Sequence, residues 1–457
     1  VDVPRLIAAA LPLVAGVLFL WRRGAPQGAQ RFTVVGYGLF LAMLAWGVVL
    51  RGVDALGLRL DFGLLVAIAA VAVVLAALVP ARATTGDAPV PGFAPDRVRG
   101  ALLVLLLALL AARLLGLFLE VWWRPLYPWD ALMHWATKAR VWFEYRELLP
   151  FETWDVWAAG ADPRVFTDRH PHYPATIPLL QLWMAISLGR WDPSLVNLPW
   201  VVCYVALGTA FYGQARQAGV SAVLALLFTY LVLSMPLLNS HVALAGYADL
   251  YVGTAYVLSL MALHSVVNGG PAWHGWLLFL CAASLPLLKQ EGLFWLLTLA
   301  PALLAARWRR AWVVPLLLLL LVVVIALVLW LFPRDLPIGE HSLDSLRIYY
   351  REGALPAVAR SILLLGNWHV GPWLLLALLG LALLQRRLEP ALLPVASAVA
   401  SALLLYLFLF TFTKFAGGAV KQTAVGRIGL HLMPACLFLS LLLYASLSRR
   451  QRTPGDD

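Results

Sequence analysis

Stretches of about twenty mostly apolar residues, the length needed to cross a hydrocarbon core about 30 Å thick, recur along the chain, as at 311–332 and 391–412. In lipid every backbone N–H and C=O of such a stretch must be paired within the protein, which helices achieve and open sheets do not. Composition points the same way: of 457 residues, 62% are hydrophobic and only 12% charged, too little charge to cover a soluble surface. The expected fold class is an all-α polytopic membrane protein. The first apolar run, 6–20, has the length of a signal peptide. It lacks a basic n-region and an Ala-x-Ala cleavage site, so it is read as a retained span. The 20 Trp suit the headgroup zone. The net charge of +11 does not imply nucleic acid, because the basic residues fall in short loops between apolar runs. Cys203, Cys281 and Cys436 lie inside apolar runs without paired spacing. They read as buried small hydrophobes, with neither a disulfide framework nor a metal site implied.

Strongly basic short loops belong on the cytoplasmic side. Those loops are Arg22-Arg23, Arg97 with Arg99, Arg216, Arg307 with Arg309-Arg310, Arg386-Arg387, and Arg449-Arg450 with Arg452. About thirteen spans satisfy them all: 5–21, 32–50, 61–80, 100–120, 196–213, 219–238, 247–265, 273–289, 292–306, 311–332, 370–385, 391–412 and 427–447. The N-terminus is then outside and the C-terminus inside. The scheme requires that 177–188 not cross; it is expected to lie at the outer interface with its apolar face in lipid. The expected organisation is three N-terminal spans in 1–80, a cytoplasmic linker at 81–99, a main membrane module at 100–447 and a cytoplasmic tail at 448–457. That module contains a long outer loop, 121–195, dense in Trp, His, Asp and Arg. Long ordered loops tend to be functional.

The loop opens with Trp129-Asp130-Ala131-Leu132-Met133-His134-Trp135-Ala136-Thr137-Lys138-Ala139-Arg140. Read as a helix, Asp130, His134 and Lys138 share one face. Asp130 is either a general base for an attacking hydroxyl or an N-capping carboxylate; His134, Lys138 and Arg140 are candidate substrate contacts. Further along stand His170, His172 and Tyr173, set between prolines. A third ligand at metal spacing is missing, so they line a polar site, or the prolines simply mark a helix start. Asp249 opens a span at its outer end, either facing a polar cavity or capping the helix at the water boundary. Lys289 and Glu291 interrupt the apolar run 273–306, where they would neutralise and orient a phosphorylated sugar or form an ordinary turn. Lys414, Lys421, Arg427 and His431 gather at the outer mouth of the last span. Arg427 and His431, one turn apart, suit an anionic headgroup, with snorkelling as the rival account of Arg427. Arg113, inside the fourth span, either snorkels or points into the bundle.

This layout resembles the GT-C superfamily of membrane glycosyltransferases, whose relatives include the protein O-mannosyltransferases and the bacterial aminoarabinose transferases acting on lipid A. The resemblance covers roughly 100–447. It rests on a span leading into a long outer loop with the early Asp130, the His170-Pro171-His172-Tyr173-Pro174 element, Asp249 at the outer start of a span, and Arg427-x-x-x-His431-x-x-Pro434 opening the last one. Where the family often has an Asp-Glu pair, Ala131 follows Asp130. A Trp-Trp-Asp-Tyr-Gly motif is missing, which argues against asparagine-linked transfer.

The resemblance implies a GT-C-like bundle with interfacial helices in the outer loop and an inverting transfer on the extracytoplasmic face of a bacterial-type inner or plasma membrane. The donor would be a polyprenyl-phosphate sugar with its phosphate near Lys289, Arg427 or His431. The acceptor would be a hydroxyl of a glycan, lipid or protein approaching Asp130. Metal is not demanded, although some relatives use a divalent ion. A lipid-linked glycan polymerase or ligase is the alternative, but its key loop is expected later in the chain and richer in Arg. A transporter is less favoured, since transporters place charges at the midplane and often show repeats.

Overall fold

The computed structural model describes residues 3–81, 97–160, 162–338, 341–385 and 388–449. Arg386, Arg387, Arg450 and Arg452, most of the 81–99 linker and most of the 448–457 tail lie outside the described residues. The protein is mostly helical, as its apolar runs require. Among the described residues eight helices are long and apolar enough to cross a membrane: Val3–Gly24, Gln30–Ala55, Arg97–Trp123, Leu195–Gln217, Asp249–Val267, Val313–Leu331, Leu393–Phe412 and Val425–Ser448.

The other expected spans differ in form. The run 219–238 breaks before Pro236 into Ala222–Leu233 and Pro236–Ala243, because proline lacks the N–H a continuous helix needs. Counted as one crossing, the pair would be a ninth. Phe62–Leu78, His274–Leu288, Gly292–Trp308 and Gly371–Leu384 are shorter apolar helices. Fourteen residues, as in Gly371–Leu384, rise only about 21 Å at 1.5 Å per residue, short of a perpendicular crossing. The expected thirteen spans are therefore not thirteen full-length helices.

The chain forms two compact units. The first comprises Val1–Gln217, Ser221–Leu233 and Asn239–Leu250. Its spine is the pair Gln30–Ala55 and Leu198–Gln217, which pack closely. A Cβ on Gly36 would lie 2.5 Å from the Ala210 backbone nitrogen, so only glycine permits this backbone approach. The end of helix Gln30–Ala55 and the loop 56–61 after it lie against the long loop: the N–H of Leu148 donates to Asp54 Oδ1 at 2.8 Å, and that of Leu60 to the Arg146 carbonyl at 3.0 Å. In the long loop, Phe151–Glu152 pairs in parallel with Phe166–Thr167, which delivers Asp168 to the interior.

Helix Thr176–Leu188 corrects one expectation. At 13 residues it is too short to span, but it does not offer an apolar face to lipid. Every residue from Ile177 to Ser187 is buried. The segment is apolar all round, and protein covers it on every side: Trp183 Nε1–H donates to the Ala9 carbonyl at 3.0 Å, and Arg5 to the Ile186 carbonyl.

The second unit comprises Ala218–Val220, Ser234–Leu238 and Tyr251–Asp457. Leu299–Trp308 packs on Leu393–Phe412, and Gly371–Leu384 on Met433–Arg449. Polar pins cross the apolar interior: Tyr256 Oη lies 2.8 Å from Thr298 Oγ1 and donates to the Ala398 carbonyl at 3.2 Å. One amphipathic helix, Ala354–Leu363, also lies in this unit, in a stretch the apolar runs did not mark. Cys203, Cys281 and Cys436 are buried thiols outside any disulfide.

Candidate functional site

A buried polar cluster of the first unit is built where the helix after Asp130 meets the strand end at Asp168. Residues Ala131–Ala136 form a π-helical turn that continues as helix Thr137–Tyr145. Such turns interrupt the regular ladder and are frequent at functional sites. His134 and Lys138, expected on one face, do converge, and the group they converge on is Asp168. The carboxylate accepts from His134 Nδ1 at 2.7 Å, pairs with Lys138 Nζ at 2.9 Å and accepts the N–H of His170 at 3.0 Å. Lys138 donates further to the carbonyls of His170 at 2.8 Å and Pro171 at 3.2 Å. All three side chains are buried.

Electrostatics explain how an ionised carboxylate survives there. Burial alone pushes the Asp168 carboxyl up. The His134 hydrogen bond, the Lys138 charge and the His170 N–H outweigh burial and hold it below the ordinary carboxylate range. The aromatic rings complete the cluster. His170 stacks on Tyr173 with centroids 4.7 Å apart, Tyr173 stacks on Trp135 at 5.2 Å, and His134 meets His170 edge-on at 4.5 Å.

Asp130 itself is half-buried at the head of the π-helical turn and makes no capping hydrogen bond from its side chain. The turn before Asp249 abuts this helix start. Gly246 has φ +93°, and a Cβ placed on it would lie 2.4 Å from Ala131 Cβ and 3.0 Å from Leu126 Cδ2. The first unit thus brings the segments that carry Asp130 and Asp249 side by side. Trp200 Nε1–H fixes the turn by donating to the Tyr247 carbonyl at 2.9 Å. Asp249 is fully buried, with His241 Nδ1 at 4.0 Å from its carboxylate.

Other expected contacts take different positions. Lys138 is buried; bonded to Asp168 and to the carbonyls of His170 and Pro171, it latches the loop to the helix. Arg140 and His172 are exposed, and His170 and Tyr173 are half-buried. Arg113 is exposed on helix Arg97–Trp123. In the second unit Lys289 is buried and pairs with Glu291 at 3.1 Å. His431 is buried and accepts a hydrogen bond at Nδ1 from Trp295 Nε1–H at 2.9 Å. Arg427 is half-buried, Lys421 is exposed, and Lys414 pairs with Asp344.

Asp168 is the central residue that sequence reasoning did not single out. It stands in the Thr167-Asp168-Arg169-His170 element, but 34 residues separate it from His134, and no helical or strand period links such positions. Among the described residues no group of three or more His, Cys, Asp or Glu side chains is arranged to hold a metal ion. Comparison with protein-family models, with curated proteins and with solved structures finds no match to this chain.

Proposed function

We propose that the protein is an inverting glycosyltransferase of GT-C type, moving a sugar from a polyprenyl-phosphate donor to a hydroxyl acceptor on the outer face of the membrane. Several helices long and apolar enough to span a bilayer support the membrane setting. The observation that supports the reading is the abutment of the Gly246 turn on Ala131, which sets the Asp249 segment beside the segment that carries the half-buried Asp130.

In this reading the acceptor oxygen attacks the anomeric carbon as the carbon–oxygen bond to phosphate breaks. Polyprenyl phosphate leaves with the electron pair, and the hydroxyl proton passes to the Asp130 carboxylate. Phosphate is already a fair leaving group, so positioning and charge neutralisation carry most of the barrier reduction. A general base adds roughly 100- to 10,000-fold.

The test compares envelope glycans by mass spectrometry with and without the gene. A sugar lost on deletion is expected to return with the wild-type gene and to remain at least ~100-fold depleted in initial rate with Asp130→Asn. Full restoration by Asp130→Asn, with normal membrane insertion, removes Asp130 as the base. No glycan difference on deletion removes the transferase reading.

A further inference from the structure

Helix Leu11–Gly24 packs on both Gln30–Ala55 and Phe62–Leu78. Where their ends meet, a cavity of about 540 Å³ opens, within the ~300–1,000 Å³ range of small-ligand pockets. Trp21 and Arg22 line it from the last turn of the first helix, and Gln27 from the turn that follows. Arg31, in the first turn of Gln30–Ala55, and Ala81, beyond Phe62–Leu78, complete the wall. Both charged lining groups are cationic; no Asp or Glu is among the described residues that line the cavity. We propose that it is a binding site for the phosphodiester headgroup of an anionic phospholipid, gripped by Arg22 and Arg31.

Arg22 is a fixed cation. Its Nε–H donates to the Val79 carbonyl at 3.0 Å and its Nη2 to the Ala77 carbonyl at 2.9 Å, which also closes the end of helix Phe62–Leu78. Two of the five guanidinium hydrogens are used in this way, and the rest serve a ligand. Arg31 is exposed, and its side chain bonds to none of the described residues. Two guanidinium forks match the oxygens of a phosphate, and basic pockets among membrane helices recognise such headgroups. The surroundings favour a lipid over a free phosphate. Trp21 is 38% exposed, and indole rings seek the headgroup zone. Phe19, Phe32 and Leu78, each within one turn of a lining residue, are exposed apolar side chains of the kind that meets acyl chains. The basic Arg22-Arg23 loop is expected on the cytoplasmic side, which assigns the lipid to the inner leaflet. That topological preference needs only charge near the membrane; it does not need a hollow between two arginines.

The test is native mass spectrometry of the full chain released from nanodiscs of phosphatidylglycerol and phosphatidylcholine in equal parts, with identical acyl chains. The wild type is expected to retain phosphatidylglycerol in preference. Arg31→Gln should lower the retention ratio about fivefold, the equivalent of roughly 1 kcal/mol for one arginine at a membrane surface, and Arg31→Lys should keep most of it. Arg51→Gln, the same charge change at the far end of helix Gln30–Ala55, should leave the ratio unchanged. Arg31 lies outside the helix cap, so thermal melts of its variants in pure phosphatidylcholine should match the wild type, which separates lost binding from lost fold. Equal retention of the two lipids by the wild type, or an unchanged ratio in Arg31→Gln, overturns the proposal. So does an equal fall in Arg51→Gln, which would mean surface charge alone. Displacement of the lipid by equimolar glycerophosphoglycerol, the headgroup without its chains, would make the site one for free phosphate and overturns it too. The site is independent of the transfer chemistry, and its failure leaves the glycan comparison untouched.

Discussion

Asp168 holds two donors from one helix and a backbone N–H from its own loop. Removing its charge strands the buried Lys138 ammonium, and breaking a buried pair in this way costs about 3–5 kcal/mol. Asp168→Asn alone is therefore expected to lower the stability of the first unit by that amount in denaturant or proteolysis measurements, and Lys138→Met in the same chain should recover most of it. Acid sensitivity follows with a definite sign. The folded-state pKa lies below the unfolded value of about 3.9, so folding favours the ionised form. The stabilisation is complete above that unfolded value and is lost as the pH falls below it, through the depressed folded value. Acid unfolding of the wild type should carry this dependence, and Asp168→Asn should lack it. Of these residues His134 and Lys138 were legible as a one-face pair in the sequence, whereas their shared partner was not.

At the level of elements, the Gly246 turn joins two chain segments more than a hundred positions apart. Its φ of +93° suits glycine alone, and the missing Cβ leaves room for Ala131. Gly246→Ala is expected to cost about 1–3 kcal/mol from backbone strain, with a further loss from the clash. Adding Ala131→Gly should relieve the clash but not the strain, so stability returns only in part; thermal melts of the three proteins separate the two contributions. Full recovery in the double variant would mean that the backbone at 246 bears no strain. The helices show a similar division of information. Apolar runs located the spanning helices, because lipid forces backbone pairing within each run. The break before Pro236 was visible as a proline, but the burial of Thr176–Leu188 on all sides was not, since an apolar segment reads alike whether lipid or protein surrounds it.

For the whole molecule, the decisive property is the side of the membrane on which each loop lies. Basic short loops imply that the long loop is outside and that 307–310 is inside. Trp154, 64% exposed, and Leu56, 76% exposed, lie in regions of the first unit expected outside, and Trp308, 53% exposed, lies in a loop expected inside. Trp154→Cys and Leu56→Cys are expected to react with an impermeant thiol reagent in intact cells, and Trp308→Cys only after lysis. The native Cys203, Cys281 and Cys436 are buried and should contribute little background. Labelling of Trp308→Cys in intact cells would invert the topology.

The sequence by itself determined that this chain is mostly helical, which stretches are apolar enough to span a membrane, and that His134 and Lys138 share a face. These properties depend on local composition and period, which neighbouring residues carry without help from the rest of the chain. Tertiary structure alone decided that Asp168 receives both side chains, that the Gly246 turn packs against Ala131, and that Lys138, Lys289 and His431 are buried. Those outcomes arise from contacts between segments far apart in sequence, where close packing and the matching of each buried donor to an acceptor select one arrangement.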